Sequence, residues 1–163
     1  MRFILVDRIL SIEPGKQGSF VKNVSQSEDY FSDHFPESPI MPGVLILESF
    51  DQAAQFFVAR SHDFTCYPEL KQILRASFRH YVVPGDQLNI ALQFMREDER
   101  GTVIKAHAQV DGRTMAEATL LFSLVQDNRD PESKARCQRL GELYDLLSSD
   151  SVGRAWESLA HRF

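Results

Sequence analysis

Two side chains with complementary proton chemistry flank what reads as a helix start. His34 sits in His34-Phe35-Pro36, a tight loop punctuated further by Pro39 and Pro42. Fourteen residues later Glu48 places a carboxylate directly after the apolar run Val44 to Leu47. Between them, Pro42-Gly43 opens a segment whose first backbone N–H groups have no intrahelical acceptor and whose dipole favours negative charge. A base, an acid and a set of N–H donors are the parts needed to remove a proton next to a carbonyl and expel a leaving group.

Each residue has a plainer reading beside the chemical one. A neutral imidazole suits a general base because its pKa lies near working pH; a loop histidine can equally serve one structural hydrogen bond. Glu48 stands among Leu45, Leu47 and Phe50, so partial desolvation is expected, favouring the protonated form, with the helix start pulling the other way. The plain alternative is an exposed helix glutamate. The N–H groups of Gly43 and Val44 could hold a carbonyl oxygen that gains charge, and a glycine permits close approach; they could also simply begin the helix. Gln52 lies one turn after Glu48 and shares its face. His62, His80, His107 and His161 receive no role, and no metal-ligand cluster, phosphate loop or Ser-His-Asp order occurs.

These residues need a scaffold. Residues 3–13 read as a strand ended by Pro14-Gly15, and 18–24 as its partner. Residues 26–41 are polar and proline-bearing, hence a loop. Gly43 to about Ala59 has helical length and no breaker, with Pro42 in the first turn. A loop is expected at 61–69. Then Leu88, Ile90, Leu92 and Phe94 alternate with polar residues, as do Ile104, Ala106, Ala108 and Val110, and Leu120, Phe122 and Leu124. Turns fall at Pro84-Gly85, Glu97 to Gly101 and Asp111-Gly112. The pattern by itself gives an α+β protein with one main helix, two strands before it and about four after. Beyond a polar linker from Asp127 to Glu132, Leu140, Leu143, Tyr144 and Leu147 recur at helical spacing, and Val152, Trp156 and Leu159 suit a second short helix.

Composition bounds the function. The 163 residues are 43% hydrophobic, which suits one domain with a real core. A net charge of −5 without a basic stripe speaks against nucleic acid. The longest apolar run is far too short to span a membrane, and Asp7 comes too early for a signal peptide. Cys66 and Cys137 have no metal or redox spacing, so reduced thiols in a cytoplasmic protein are the simplest expectation.

His34-Phe35-Pro36 followed by Pro39-Ile40-Met41-Pro42-Gly43-Val44-Leu45-Ile46-Leu47-Glu48 resembles the signature of the 3-hydroxyacyl-acyl-carrier-protein dehydratases of fatty-acid synthesis. Leu5-Val6-Asp7-Arg8, Val83-Pro84-Gly85-Asp86-Gln87-Leu88, and Val110-Asp111-Gly112 leading to Ala116-Glu117-Ala118 fit the same family in the same order. The resemblance runs from about Phe3 to Val125. It implies a hotdog fold over 1–126, an antiparallel sheet wrapped around one long central helix, with 127–163 a C-terminal helical extension.

The resemblance also implies roles. His34 would be the catalytic base at C2 of a (3R)-3-hydroxyacyl thioester, and Glu48 the acid for the departing hydroxyl. Gly43, Val44 and Gln52 would bind substrate or orient the acid. The trans-2-enoyl product would need no metal or redox cofactor. The substrate would ride on the phosphopantetheine arm of an acyl carrier protein, in a homodimer or higher oligomer whose sites combine two subunits. A hotdog acyl thioesterase, or a non-catalytic subunit paired with an active dehydratase, are the alternatives. The chain departs from the family at Asp33 and Glu37, which add carboxylates beside His34, and at Phe50, Asp51 and Gln55, which are larger or more polar than usual and could reshape an acyl tunnel.

Overall fold

A computed structural model describes residues 4–33, 37–126 and 130–148 of the chain. Its elements run β1 (Arg8–Glu13), β2 (Gln17–Asn23), α1 (Tyr30–Asp33), α2 (Gly43–Ser61), β3 (Cys66–Phe78), β4 (Gln87–Asp98), β5 (Gly101–Val110), β6 (Arg113–Gln126) and α3 (Pro131–Ser148). The six strands form one antiparallel sheet in the order β1-β2-β4-β5-β6-β3.

The predicted alternation is realised in the middle of β4, β5 and β6, while Phe94, Val110 and Leu124 toward the strand ends are only partly buried. Leu88, Ile90 and Leu92 of β4, Ile104, Ala106 and Ala108 of β5, and Ala118, Leu120 and Phe122 of β6 are buried. They share one core with Phe50, Ala53, Ala54, Phe56, Phe57, Val58 and Ala59 of α2. Along the β5–β6 ladder Ala106 faces Ala118 and Ala108 faces Ala116. Paired alanines leave room for a helix carrying several phenylalanines, so bulk on α2 is matched by small residues on the sheet. The sheet wraps α2 as a hotdog fold.

The turns follow local backbone chemistry. Asp111 and Gly112 both take positive φ, 48° and 78°, as a two-residue hairpin with the twist of its strands requires. At Gly101 (φ 125°) an added Cβ would come within 2.0 Å of the Phe122 carbonyl oxygen, so only glycine fits.

Some boundaries differ from expectation. β1 begins at Arg8; Leu5 and Val6 precede it as buried irregular chain, held by a side chain of α2 rather than by a ladder. The expected loop 26–41 contains the short helix α1. The expected loop 61–69 ends earlier, because β3 already pairs with β6 from Cys66 opposite Gln126. As an edge strand β3 is exposed over most of its length and shows no alternation for a sequence to display.

α3 is docked. Leu140 is buried in the main core, with Leu143, Tyr144 and Leu147 packed against it. The Tyr144 ring meets Phe64 at 5.2 Å between centroids. Asp130 caps the helix by accepting the Ser133 N–H at 2.7 Å. Val152, Trp156 and Leu159 lie outside the described residues. Cys66 and Cys137 are both buried.

Candidate active site

The head of α2 is built by Pro42. Its carbonyl accepts the N–H of Leu45 at 2.9 Å and of Ile46 at 3.3 Å. No side chain caps the helix, and among the described residues the N–H groups of Gly43 and Val44 have no protein acceptor. Such donors suit an oxygen carrying developing charge. Val44 is 69% exposed, so this end of the helix opens outward. The Phe78 ring occupies the space a Gly43 side chain would need, 3.0 Å from where its Cβ would stand. Gly43 therefore admits the β3 ring against the helix head.

One turn further, Glu48 is exposed in the single chain rather than desolvated by its apolar neighbours. Position within the helix decides this. Ile46, Ser49 and Phe50 turn into the protein, while Glu48 turns toward a cavity. Its orientation is fixed from below. Gln52 is 1% exposed, donates Nε2–H to Glu48 Oε1 at 2.8 Å, and accepts the Leu5 N–H on its own Oε1 at 2.8 Å. Leu5 thus supports Gln52, and the chain after it is anchored: Val6 is fully buried, and Asp7 Oδ2 accepts the Asn23 N–H at 2.6 Å. The contribution of the Leu5 amide was invisible in sequence, because it is a backbone group 47 residues from its partner.

His34, Phe35 and Pro36 lie outside the described residues, as does the Asp33 side chain, so the expected base falls there. Glu37 is exposed. Of the five sequence-derived site residues, Gly43, Val44, Glu48 and Gln52 lie on the first three turns of α2.

The cavity beside Glu48 has a volume of about 670 Å³. Gln55 and Tyr67 line one side; Arg136, Leu140 and Leu143 of α3 line another. Two of the departures noted in sequence meet here. Gln55 Nε2 donates to Asp51 Oδ2 at 2.9 Å, and the Tyr67 hydroxyl donates to Gln55 Oε1 at 3.1 Å. Burial is the main reason the Asp51 carboxyl is pushed up to about 6; the Gln55 bond opposes the shift and the Glu48 charge adds to it. Burial likewise raises the Tyr67 hydroxyl. Phe50 behaves otherwise: it is wholly buried in the core and is not part of the cavity wall. Tyr67 and Arg136 were missed in sequence, since one stands in the expected loop and the other on the polar side of the tail helix. Among the described residues no group of His, Cys, Asp and Glu is placed to hold a metal ion.

A FabA-like domain matches residues 1–119. The chain belongs to the FabA-like family. Related proteins include the 3-hydroxyacyl-(acyl-carrier-protein) dehydratases FabZ of Pelotomaculum thermopropionicum, 46% identical over 75% of this chain and 88% of that protein, and of Symbiobacterium thermophilum, 43% identical over 80% and 92%. Solved structures with the same fold include the dehydratase heterocomplex ApeI:P of Xenorhabdus doucetiae, with TM-score 0.58 and 19% identity over 75% of this chain and 98% of that one. Another is smu.793 of Streptococcus mutans bound to acetyl CoA, with TM-score 0.61 and 16% identity over 77% and 93%. The family match ends before α3 begins, so the helix that walls the cavity lies outside it.

Proposed function

We propose that this FabA-like chain dehydrates (3R)-3-hydroxyacyl thioesters carried on acyl carrier protein to trans-2-enoyl thioesters, as the names of its FabZ relatives state for those proteins. The observation that carries the reading is Glu48: an outward carboxylate at the mouth of a cavity, held by Gln52, one turn from the open N–H groups of α2. The thioester oxygen lies at the Gly43 and Val44 N–H groups, where enolate charge is stabilised. His34 removes the C2 proton. Glu48 gives a proton to the C3 hydroxyl, which leaves as water while the C2–C3 double bond forms. No redox step is involved.

The sites are completed between subunits. β3 leaves one backbone edge of the sheet unpaired and exposes Ile73, Leu74 and Phe78, with Tyr81 just beyond. A long, partly apolar edge of this kind suits pairing with a second copy. Residues 1–126 form the catalytic body and 127–163 an extension. No helix among the described residues is long and apolar enough to cross a membrane. Cys66 and Cys137, two buried cysteines without metal or redox spacing, suit the cytoplasm.

The test is turnover of 3-hydroxybutyryl-carrier protein, with mass detection of water loss against free-acid release. His34→Ala and Glu48→Gln should each lower dehydration by roughly a hundredfold to ten-thousandfold. Near-parental rates in folded variants, or free acid as the main product, would overturn the reading.

A further inference from the structure

We propose that the cavity beside Glu48 selects acyl chains bearing a neutral hydrogen-bonding group near their far end, through the hydrogen-bonded relay of half-buried Asp51, buried Gln55 and half-buried Tyr67. The inference rests on the dehydratase reading, because that reading places C3 of the substrate at Glu48.

Atoms beyond C3 must run from Glu48 into the adjoining space, which is this cavity. Gln55 lies seven residues further along α2, about 10 Å at 1.5 Å per residue. A chain gaining about 1.2 Å per bond, as extended backbone does, covers that in about eight bonds. A medium-length acyl tail therefore ends beside Gln55 and Tyr67. Both line the cavity, and both are tied to a carboxyl below: Tyr67 hydroxyl to Gln55 Oε1 at 3.1 Å, Gln55 Nε2 to Asp51 Oδ2 at 2.9 Å. Asp51 Oδ1 is buried without a partner and does not line the cavity, so the capacity that faces a ligand lies on Gln55 and Tyr67. The Gln55 amide keeps a second N–H, and the Tyr67 oxygen keeps a lone pair.

An alkyl end placed here would strip water from these groups and return nothing. A hydroxyl or carbonyl would replace the lost water bonds. A charged carboxylate suits the site less. Glu48 and Glu142 offset the two cations of the same cavity: Arg136, engaged 3.6 Å from Glu69 and over the Tyr67 ring at 4.8 Å, and Arg139, whose Nε donates to the Ala135 carbonyl at 3.4 Å. The discrimination is strong in principle, because a site built to hydrogen-bond a substrate group rejects the analogue that lacks it.

The experiment compares kcat/KM for dehydration of 3-hydroxydecanoyl and 3,10-dihydroxydecanoyl thioesters on the same carrier protein, using the full chain. The second should be preferred by about tenfold or more. Tyr67→Phe, which removes one oxygen, and Gln55→Leu should each bring the ratio toward one, with melting curves confirming the fold. If Gln55→Leu does not fold, Tyr67→Phe decides. A parental ratio of one or below, or a preference unchanged in the folded variants, overturns the proposal while leaving the dehydratase reading intact. Dehydration of neither substrate, nor of the four-carbon one, would instead sink the reading on which the proposal rests.

Discussion

At the scale of single residues, Gln52 is where two distant parts of the sequence meet. It accepts from the Leu5 amide and donates to Glu48, so its side chain has no free torsion left to lose. Gln52→Leu fills the same space but releases Glu48, the proposed acid. Dehydration should fall by roughly a hundredfold, the scale of misplacing a reacting group by an ångström, with KM less affected than kcat. Equal turnover in a folded variant would show that Glu48 holds its position without help. Asp51 makes a different prediction. Its carboxyl is raised from 3.8 to about 6, mainly by burial. Between those values the unfolded chain has released a proton that the folded chain keeps. Stability therefore falls as pH rises through that window, and at neutral pH Asp51 opposes folding by at most about 3 kcal/mol. Asp51→Asn removes this cost. The melting-temperature gain over the parent should be near zero at pH 4 and reach several degrees by pH 7. A gain independent of pH would show that the carboxyl is not raised.

At the scale of elements, α2 and α3 differ in how they earn their stability. α2 is central: its later turns are buried under the sheet, and its N-terminal end is more exposed. α3 buries one narrow stripe and presents Arg136 to the cavity. Most of a helix's stability in a protein comes from packing of its apolar face, so that stripe decides whether α3 forms. Leu140 is the anchor, at 3% exposure. Leu140→Ala should cost about 2–4 kcal/mol in urea unfolding if α3 unfolds with the body. Removal of 131–163 should lower the melting temperature or cause aggregation. Unchanged melting, together with rapid amide exchange throughout α3, would mean that the helix is not held to the body.

At the scale of the whole molecule, the sheet has two edges of unlike character. β1 is short and paired along β2, whereas β3 runs 13 residues with Ile73, Leu74 and Phe78 exposed. Leu74 stands at an irregularity of the β3–β6 register, where it has no partner in the ladder. If β3 pairs with a second copy as proposed, Leu74→Lys should shift the protein toward monomer in light scattering and lower activity with it, since a charge in a buried interface is costly. Mixing inactive His34→Ala and Glu48→Gln chains, with subunit exchange verified, should restore part of the activity if each site draws on two subunits. No recovery would place both groups in one chain.

The sequence by itself determined what depends on local order. The alternation of β4, β5 and β6 and the unbroken run of α2 follow from periods of two and 3.6, which neighbouring residues set. The motif spacing put Gly43, Val44, Glu48 and Gln52 on one helix. The stripe through Leu140, Leu143 and Tyr144 was legible for the same reason. Tertiary structure decided what depends on which distant groups meet. Glu48 and Phe50 are two residues apart in the same apolar stretch, yet one opens to the cavity and the other is sealed in the core, because helix rotation and the wrapping sheet assign their sides. β3 gave no alternation to read, since neither face of an exposed edge strand is fully covered. The relay through Asp51, Gln55 and Tyr67 joins a helix to a segment read as a loop, and α3 closes over it from the end of the chain. Hydrogen bonds of that kind are set by packing at long sequence separation, which no local period encodes.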